Sequence, residues 1–217
     1  MPGRPAASRA HRLSAGVSRG GAVRAVRRVR VLIACALAGV LLAGCDGRPR
    51  FEGVAVEPPR DMPAVSFTRA DGSRYTLGPA EGRPLVVFFG YTHCPDVCPT
   101  TLADWKRAKA KLGAKAARVR WVFVTVDPER DSVTVAERYA RQYDSTFVGL
   151  SGDAPTTAKV MEAYGVAAAR EDGTTASGYL VSHSSQVFLL NGAGQLVALY
   201  PFGTRWEALA ADLARLL

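Results

Sequence analysis

Two almost uninterrupted apolar runs constrain the fold more than any other feature of this sequence. Residues 85–89 read LVVFF, and residues 121–126 read WVFVTV. A strand with one wet face alternates apolar and polar residues, whereas a run that is apolar at nearly every position predicts a strand buried on both faces. Such strands lie in the middle of a sheet covered by helices. The chain is therefore predicted to be an α/β protein.

The segments around these runs alternate between strand and helix patterns. Asp71-Gly72 marks a first hairpin, residues 191–194 mark a second, and residues 165–178 are expected to form a long exposed loop. Helices are predicted over four stretches: 99–117, 132–143, 154–164 and 206–217. This order, with thiols directly after the first buried strand, predicts a thioredoxin-like α/β sandwich with an N-terminal β-hairpin extension.

The N-terminal 45 residues have the pattern of a secretory signal sequence. A basic stretch is followed by an apolar segment over 31–43, which is shorter than the roughly 20 residues of a membrane-spanning helix. Leu-Ala-Gly-Cys at 42–45 resembles a bacterial lipobox, so Cys45 is expected to carry lipid. Ordinary cleavage or an uncleaved anchor are the alternatives. Residues 46–63, rich in Pro, Arg and Gly, are expected to be a membrane tether, and 64–217 the folded domain.

The basic character of the chain belongs to this leader. The formal net charge is +9, but eight of the 28 basic residues are arginines within residues 4–30, a region without acidic residues. The remainder carries 20 basic against 19 acidic side chains. A nucleic-acid-binding domain needs a concentrated basic surface. No nucleic-acid partner is expected.

Only one pair of the four cysteines lies outside the leader and can form a disulfide or bind a metal ion. Cys35 lies in the apolar leader and Cys45 in the lipobox, which leaves Cys94 and Cys98 in HCPDVC. Thiols tend to oxidise outside the cytoplasm. Their i, i+4 spacing brings both sulfurs to one side of a helical turn. A disulfide and a shared metal ion are both compatible with that spacing.

The three histidines narrow the choice of a further metal ligand. His11 is in the leader and His93 adjoins Cys94, where neighbouring side chains tend to point apart. His183 precedes a predicted strand, in the loop where thioredoxins usually place a cis-proline, and no proline occurs between Pro155 and Pro201. Two thiolates and an imidazole favour Cu(I), and Cu(II) would need a further donor. A plain disulfide with a surface histidine fits the spacing equally well.

Two aspartates end the second buried strand at the same sheet edge as the cysteines. Asp127 precedes a proline and suits a turn, and Asp131 with Ser132 suits a helix cap. These structural roles are the first expectation. A role in holding the metal ligands in place is the second.

The motifs taken together resemble the Sco/SenC family. The similarity rests on FGYTHCPDVCP at 89–99, on VDPERD at 126–131, and on Tyr179 with His183-Ser184, and it spans about residues 64–217. The resemblance implies copper bound by Cys94, Cys98 and His183. Family members commonly have an aspartate before the histidine, where this chain has Ser182.

The resemblance also implies a biological role. It implies a metallochaperone, rather than an enzyme, that delivers copper to the binuclear site of cytochrome c oxidase subunit II or reduces its thiols. Other periplasmic copper carriers or thiol reductases are the implied partners. The expected location is the bacterial inner membrane, with a lipid anchor and the domain facing the periplasm. The alternative function is a periplasmic thiol–disulfide oxidoreductase that uses Cys94 and Cys98 as its redox pair.

Overall fold

A six-stranded mixed sheet forms the centre of the protein in the computed structural model, which describes residues 50–79, 82–175 and 178–217. In spatial order the strands are β1 (Val54–Asp61), β10 (Gln195–Tyr200), β9 (Val187–Leu190), β4 (Leu85–Gly90), β5 (Arg120–Thr125) and β6 (Val148–Leu150). Strands β4, β5 and β6 are parallel, and β9, β10 and β1 complete the sheet through antiparallel pairs.

Four α-helices and two separate hairpins accompany this sheet. The helices are α1 (Val97–Leu112), α2 (Val133–Tyr143), α3 (Ala154–Tyr164) and α4 (Trp206–Leu216), with a 3-10 helix (Gly113–Arg118) after α1. The hairpins are β2 (Val65–Thr68) with β3 (Arg74–Leu77), and β7 (Ala168–Thr175) with β8 (Gly178–His183). The thioredoxin-like expectation and the N-terminal hairpin are confirmed.

The core follows from the two apolar runs. All six residues of β4 are buried, as are five of the six in β5. Trp105 of α1 packs against Trp121 of β5 and against Phe147, with ring centroids 5.7 Å apart in both pairs. Burying large aromatic rings is strongly stabilising, at about 1.5–3 kcal/mol for a fully buried apolar side chain. The central strands are thereby held rigidly, and their carboxyl ends position the loops described below.

The helix boundaries have local causes. The Ser132 hydroxyl accepts a hydrogen bond from the Val135 backbone N–H, so Ser132 caps α2 while Asp131 does not. Helix α1 ends earlier than expected because Gly113 takes a φ of +57° and the chain continues as a 3-10 helix. The expectation of a helix cap was therefore right for Ser132 and wrong for Asp131.

The expected tether over 46–63 is wrong in its second half. Strand β1 pairs with β10 at the edge of the main sheet, so the folded region begins before residue 64. The register shifts between Ala55 and Arg60, a stretch that includes two prolines. An edge strand tolerates proline because one side of its backbone is unpaired. Its exposed, proline-rich composition therefore resembles that of a linker.

The long loop expected at 165–178 is also wrong. Residues 168–175 form β7, which pairs with β8 in register Ala168↔His183 and Arg170↔Val181. The sequence AAREDGTT lacks apolar alternation, and its order depends on backbone hydrogen bonds to β8. Residues 176 and 177 lie outside the described part of the chain.

The predicted signal sequence, with Cys35 and Cys45, lies outside the described residues. Within the described ranges, no helix has both the length and the apolar character needed to cross a membrane.

Candidate metal centre

The cysteine loop joins the end of β4 to the start of α1. The Cys94 backbone N–H donates to the Tyr91 carbonyl at 3.3 Å, which closes a turn before the helix. Cys98 lies in the first turn of α1 and is buried, whereas Cys94 is half-buried. The Cys98 backbone N–H donates to the Cys94 sulfur at 3.4 Å. Both cysteines are free thiols in this structure, and the predicted disulfide remains a prediction.

His183, the last residue of β8, brings an imidazole to this pair. Its Nε2 lies 3.7 Å from the Cys98 sulfur, and the donor atoms of Cys94, Cys98 and His183 all lie within 4.8 Å of one another. The rings of Phe88 and Tyr91 contact the imidazole edge to face, with centroids 6.0 Å and 5.8 Å away. These two aromatic rings restrict the orientation of the imidazole.

The backbone determines which imidazole nitrogen faces the sulfurs. His183 Nδ1 lies 3.0 Å from the carbonyl oxygen of Ser184. Because a carbonyl only accepts hydrogen bonds, Nδ1 carries the proton and the Nε2 lone pair points toward the thiols. Ser184 is itself held by Ala167, whose carbonyl accepts from the Ser184 N–H at 2.9 Å and whose N–H donates to the Ser184 hydroxyl at 3.0 Å. The histidine is therefore preorganised as a ligand through Nε2.

The cluster has the dimensions of a three-coordinate metal site. Metal bonds to cysteine sulfur and histidine nitrogen are about 2.0–2.3 Å long, so trigonal donors lie about 3.5–4 Å apart. The measured 3.7 Å between Cys98 and His183 fits that value. Within the described residues, these three form the only cluster of Cys, His, Asp or Glu with the spacing of metal ligands. Two thiolates and one imidazole are a soft set suited to Cu(I), and structural zinc generally has four ligands.

The two thiols have very different proton affinities. A hydrogen bond from the Cys98 thiol, with a further one from the Cys98 backbone N–H, lowers the pKa of Cys94 to about 3 despite partial burial. Hydrogen bonding to Cys94, together with burial and the charge on that sulfur, raises the pKa of Cys98 above its usual range. In the metal-free protein Cys94 is therefore the thiolate, and Cys98 keeps the proton.

A family comparison agrees with this architecture. The SCO1/SenC family model matches residues 54–217. The chain belongs to the SCO1/SenC family. Apo Sco1 from Thermus thermophilus superimposes with a TM-score of 0.69 at 34% identity, covering 79% of this chain and 99% of that one. Copper-bound ScoI from Bradyrhizobium japonicum gives 0.65 at 34%, covering 72% and 99%.

The sequence relatives include mitochondrial and bacterial proteins. The human mitochondrial SCO2 homologue is 34% identical over 136 residues, which is 62% of this chain and 51% of that protein. A putative copper-binding protein from Stutzerimonas stutzeri is 31% identical over 141 residues, 63% and 67% of the two chains. The match spans about half the length of the mouse and bovine SCO2 homologues, at 53% and 51%.

Gly90 is a site residue that the sequence reasoning missed. A Cβ atom at this position would lie 2.6 Å from the Cys98 sulfur and 3.0 Å from the rings of Phe88 and Phe123. Glycine thus lets the buried sulfur approach the end of β4. A glycine that ends an apolar strand just before a cysteine loop is the signal that could have revealed this close approach.

Asp131 anchors the cysteine loop rather than capping α2. Its carboxylate is fully buried and accepts hydrogen bonds from the Thr92 N–H at 2.8 Å and the Thr92 hydroxyl at 2.5 Å. The Thr125 hydroxyl donates to it at 2.6 Å. These bonds tie the residues before Cys94 to the end of β5. His93 Nδ1 lies 3.6 Å from the same carboxylate and is not part of the ligand cluster.

Asp127 forms the expected turn and also reaches across to β8. Its carbonyl accepts from the Asp131 N–H at 2.9 Å, while its carboxylate accepts from Arg130 Nε at 2.6 Å and from the Tyr179 hydroxyl at 2.7 Å. Neither aspartate belongs to the cluster of donor atoms. Ser182 is exposed, and successive strand residues alternate sides, so it lies on the opposite face of β8 from His183.

Proposed function

We propose that this protein is a copper-binding metallochaperone in which Cys94, Cys98 and His183 hold copper as cargo. The observation that carries the proposal is the convergence of three soft donors within 4.8 Å, one of them an imidazole already turned by the backbone. The copper-bound state of the Bradyrhizobium relative supports the same cargo. The recipient that the family resemblance implies is the binuclear copper site of cytochrome c oxidase subunit II, or another copper protein.

Unequal exposure of the ligands suits release of the cargo. Cys98 is buried against the core, whereas Cys94 is half-buried and reachable by a partner. A three-coordinate ion retains room for an incoming thiolate or imidazole from the recipient. Copper can therefore be transferred by ligand exchange that begins at the Cys94 side.

Loading requires both thiols to be reduced. We propose that a Cys94–Cys98 disulfide is the oxidised form, which a periplasmic thiol reductase opens before a copper carrier supplies the ion. The leader pattern supports lipidation at Cys45 and a position on the inner membrane with the domain facing the periplasm. Such an anchor would keep the domain close to membrane-bound oxidase subunits.

A thiol–disulfide oxidoreductase is the second candidate, and the Cys94 thiolate favours it. In that reaction the Cys94 thiolate attacks a partner disulfide, releases one partner thiolate and forms a mixed disulfide. Cys98 must then lose its proton and attack Cys94, which releases the second partner thiolate and leaves the Cys94–Cys98 disulfide. Burial of Cys98, which raises the pKa of its thiol and persists when Cys94 is in the mixed disulfide, slows this second step because the thiolate is the attacking species.

The test is a Cu(I) competition titration of the reduced full-length protein and of His183→Ala. We expect one copper per wild-type protein and a loss of about 100-fold or more in affinity for the variant, since even indirect partners of metal ligands contribute 10–100-fold. The disulfide reduction potential should change little. His93→Ala is the matched control, because that ring faces Asp131. Equal Cu(I) affinity in wild type and His183→Ala would refute the three-ligand site and favour the oxidoreductase.

A further inference from the structure

We propose that Arg130 is a positioning residue that holds His183 at its working distance from the cysteines. It acts through Tyr179, four residues before the histidine on β8. The inference rests on the proposed copper-binding function and concerns two residues outside the cluster of three donor atoms. It explains how a hairpin outside the main sheet keeps a ligand in register with the cysteine loop.

A ring of hydrogen bonds joins the loop after β5 to strand β8 through Arg130, Asp127 and Tyr179. Arg130 Nε donates to the Asp127 carboxylate at 2.6 Å, and Arg130 Nη1 donates to the Tyr179 carbonyl at 2.8 Å. The Tyr179 hydroxyl completes the ring by donating to Asp127 at 2.7 Å. The Arg130 side chain is only 17% exposed and that of Asp127 only 5%. Partial burial strengthens charge-assisted bonds of this kind relative to surface pairs.

Aromatic stacking adds a second connection toward the ligands. The Arg130 guanidinium lies 3.5 Å from the centroid of the Tyr179 ring and 5.7 Å from that of Tyr91. Tyr91 in turn contacts the His183 imidazole edge to face at 5.8 Å. Arg130 therefore bridges the residue that precedes the cysteine loop and the strand that carries the histidine. Cation–π contacts of this kind contribute about 0.5–2 kcal/mol each.

The geometry of β8 transmits this restraint to the imidazole. Residues 179, 181 and 183 share one face of the strand, and Val181 between the other two is buried. The strand is thus fixed at Tyr179 by Arg130 and at Ser184 by Ala167. A ligand held at both ends of a short strand loses little further entropy when metal binds.

The chemistry of the restraint requires arginine. A guanidinium donates in two directions within one plane and stacks on a ring at the same time, whereas a lysine ammonium is a point charge. We therefore expect Arg130→Lys to behave like Arg130→Gln. Arg170 is the matched control because its guanidinium stacks on the same ring, 3.6 Å from the centroid. Its side chain is 61% exposed, and its ion pair with Glu129 spans 3.9 Å.

The first experiment examines the metal-free, reduced protein by ¹⁵N NMR of the imidazole. In wild type and Arg170→Gln we expect His183 as a single Nδ1–H tautomer. In Arg130→Lys we expect tautomer averaging, because the strand is then fixed only at its Ser184 end and the His183 ring can move relative to the Ser184 carbonyl. A wild-type tautomer signature in Arg130→Lys would overturn the proposal without bearing on copper binding.

The second experiment measures Cu(I) affinity and the Cu(II) electron paramagnetic resonance spectrum of the same proteins. Arg130→Lys should lose about 10–100-fold in Cu(I) affinity and show an altered Cu(II) spectrum, while Arg170→Gln matches wild type. Tyr179→Phe removes only the hydroxyl bond to Asp127 and is the milder variant to use if Arg130→Lys folds poorly. We expect it to show a smaller loss of Cu(I) affinity and a smaller change in the Cu(II) spectrum. If wild type binds copper and these variants bind it equally with unchanged spectra, the inference fails. If wild type itself retains no copper, the proposed function fails instead.

Discussion

Replacing Gly90 with alanine tests the close approach on which the buried thiol depends. The new methyl carbon would lie 2.6 Å from the Cys98 sulfur, well inside the favourable separation of about 3.5–4.0 Å. The methyl group itself has no room to move, because atoms of the Phe88 and Phe123 rings lie 3.0 Å from it. The Cys98 sulfur must therefore shift by about 1 Å to relieve the clash. Overpacking of this kind typically costs about 1–3 kcal/mol of unfolding free energy.

The displacement should also damage the metal site. Binding geometry tolerates errors of about 0.5 Å, and Cys98 lies 3.7 Å from His183 in a site that fits trigonal coordination. We expect Gly90→Ala to lose about 10-fold or more in Cu(I) affinity, measured by competition titration beside urea unfolding. Gly72→Ala is the control: its φ of +80° strains an alanine, yet nothing lies within 4 Å of the added methyl. Wild-type copper affinity in a folded Gly90→Ala protein would refute the argument.

Two further predictions concern stability and thiol reactivity. Tyr200→Phe removes a 2.8 Å hydrogen bond to the buried carboxylate of Asp212 and should lower the unfolding free energy in urea by about 1.5–3 kcal/mol, with Cu(I) affinity unchanged; an unaltered midpoint would contradict it. Because the pKa of Cys94 is lowered to about 3, its thiolate persists as pH falls from 8 to 5. Alkylation of reduced, metal-free protein by iodoacetamide should therefore stay nearly constant over that range at Cys94. An ordinary thiol with a pKa of about 8.5 would slow about tenfold per unit, and that result would refute the assignment.

Local periodicity accounts for the parts of the fold that were predicted correctly. The fully buried strand β4 and its parallel neighbour β5 appear in the sequence as apolar runs. The β2–β3 and β9–β10 hairpins have turn residues between two strand patterns. The same pattern failed at β1, which is exposed along most of its length, and at β7, whose sequence lacks apolar alternation. Their strand structure depends on hydrogen bonds to β10 and β8, which no local pattern encodes.

Some residues of the candidate site could be found from the sequence, and others only from the structure. Residue type and spacing singled out Cys94, Cys98 and His183, since soft donors are few in this chain. The sequence offered Asp131 a role in holding the ligands only as a second expectation, and neither its bonding partners nor the role of Gly90 could be predicted, because they depend on which atoms of other elements lie beside them. Asp131 meets Thr92 across 39 positions of sequence, and Gly90 meets the Cys98 sulfur only after α1 packs on β4.

The sequence by itself determined the class of fold, the pair of thiols and the single histidine available to join them. These features follow from residue chemistry and from periodicity over short stretches. The tertiary structure alone decided that the imidazole faces the sulfurs through Nε2, that a buried aspartate anchors the cysteine loop, and that Arg130 links this loop to β8. Hydrogen-bond partners far apart in sequence become neighbours only when the core brings their elements together.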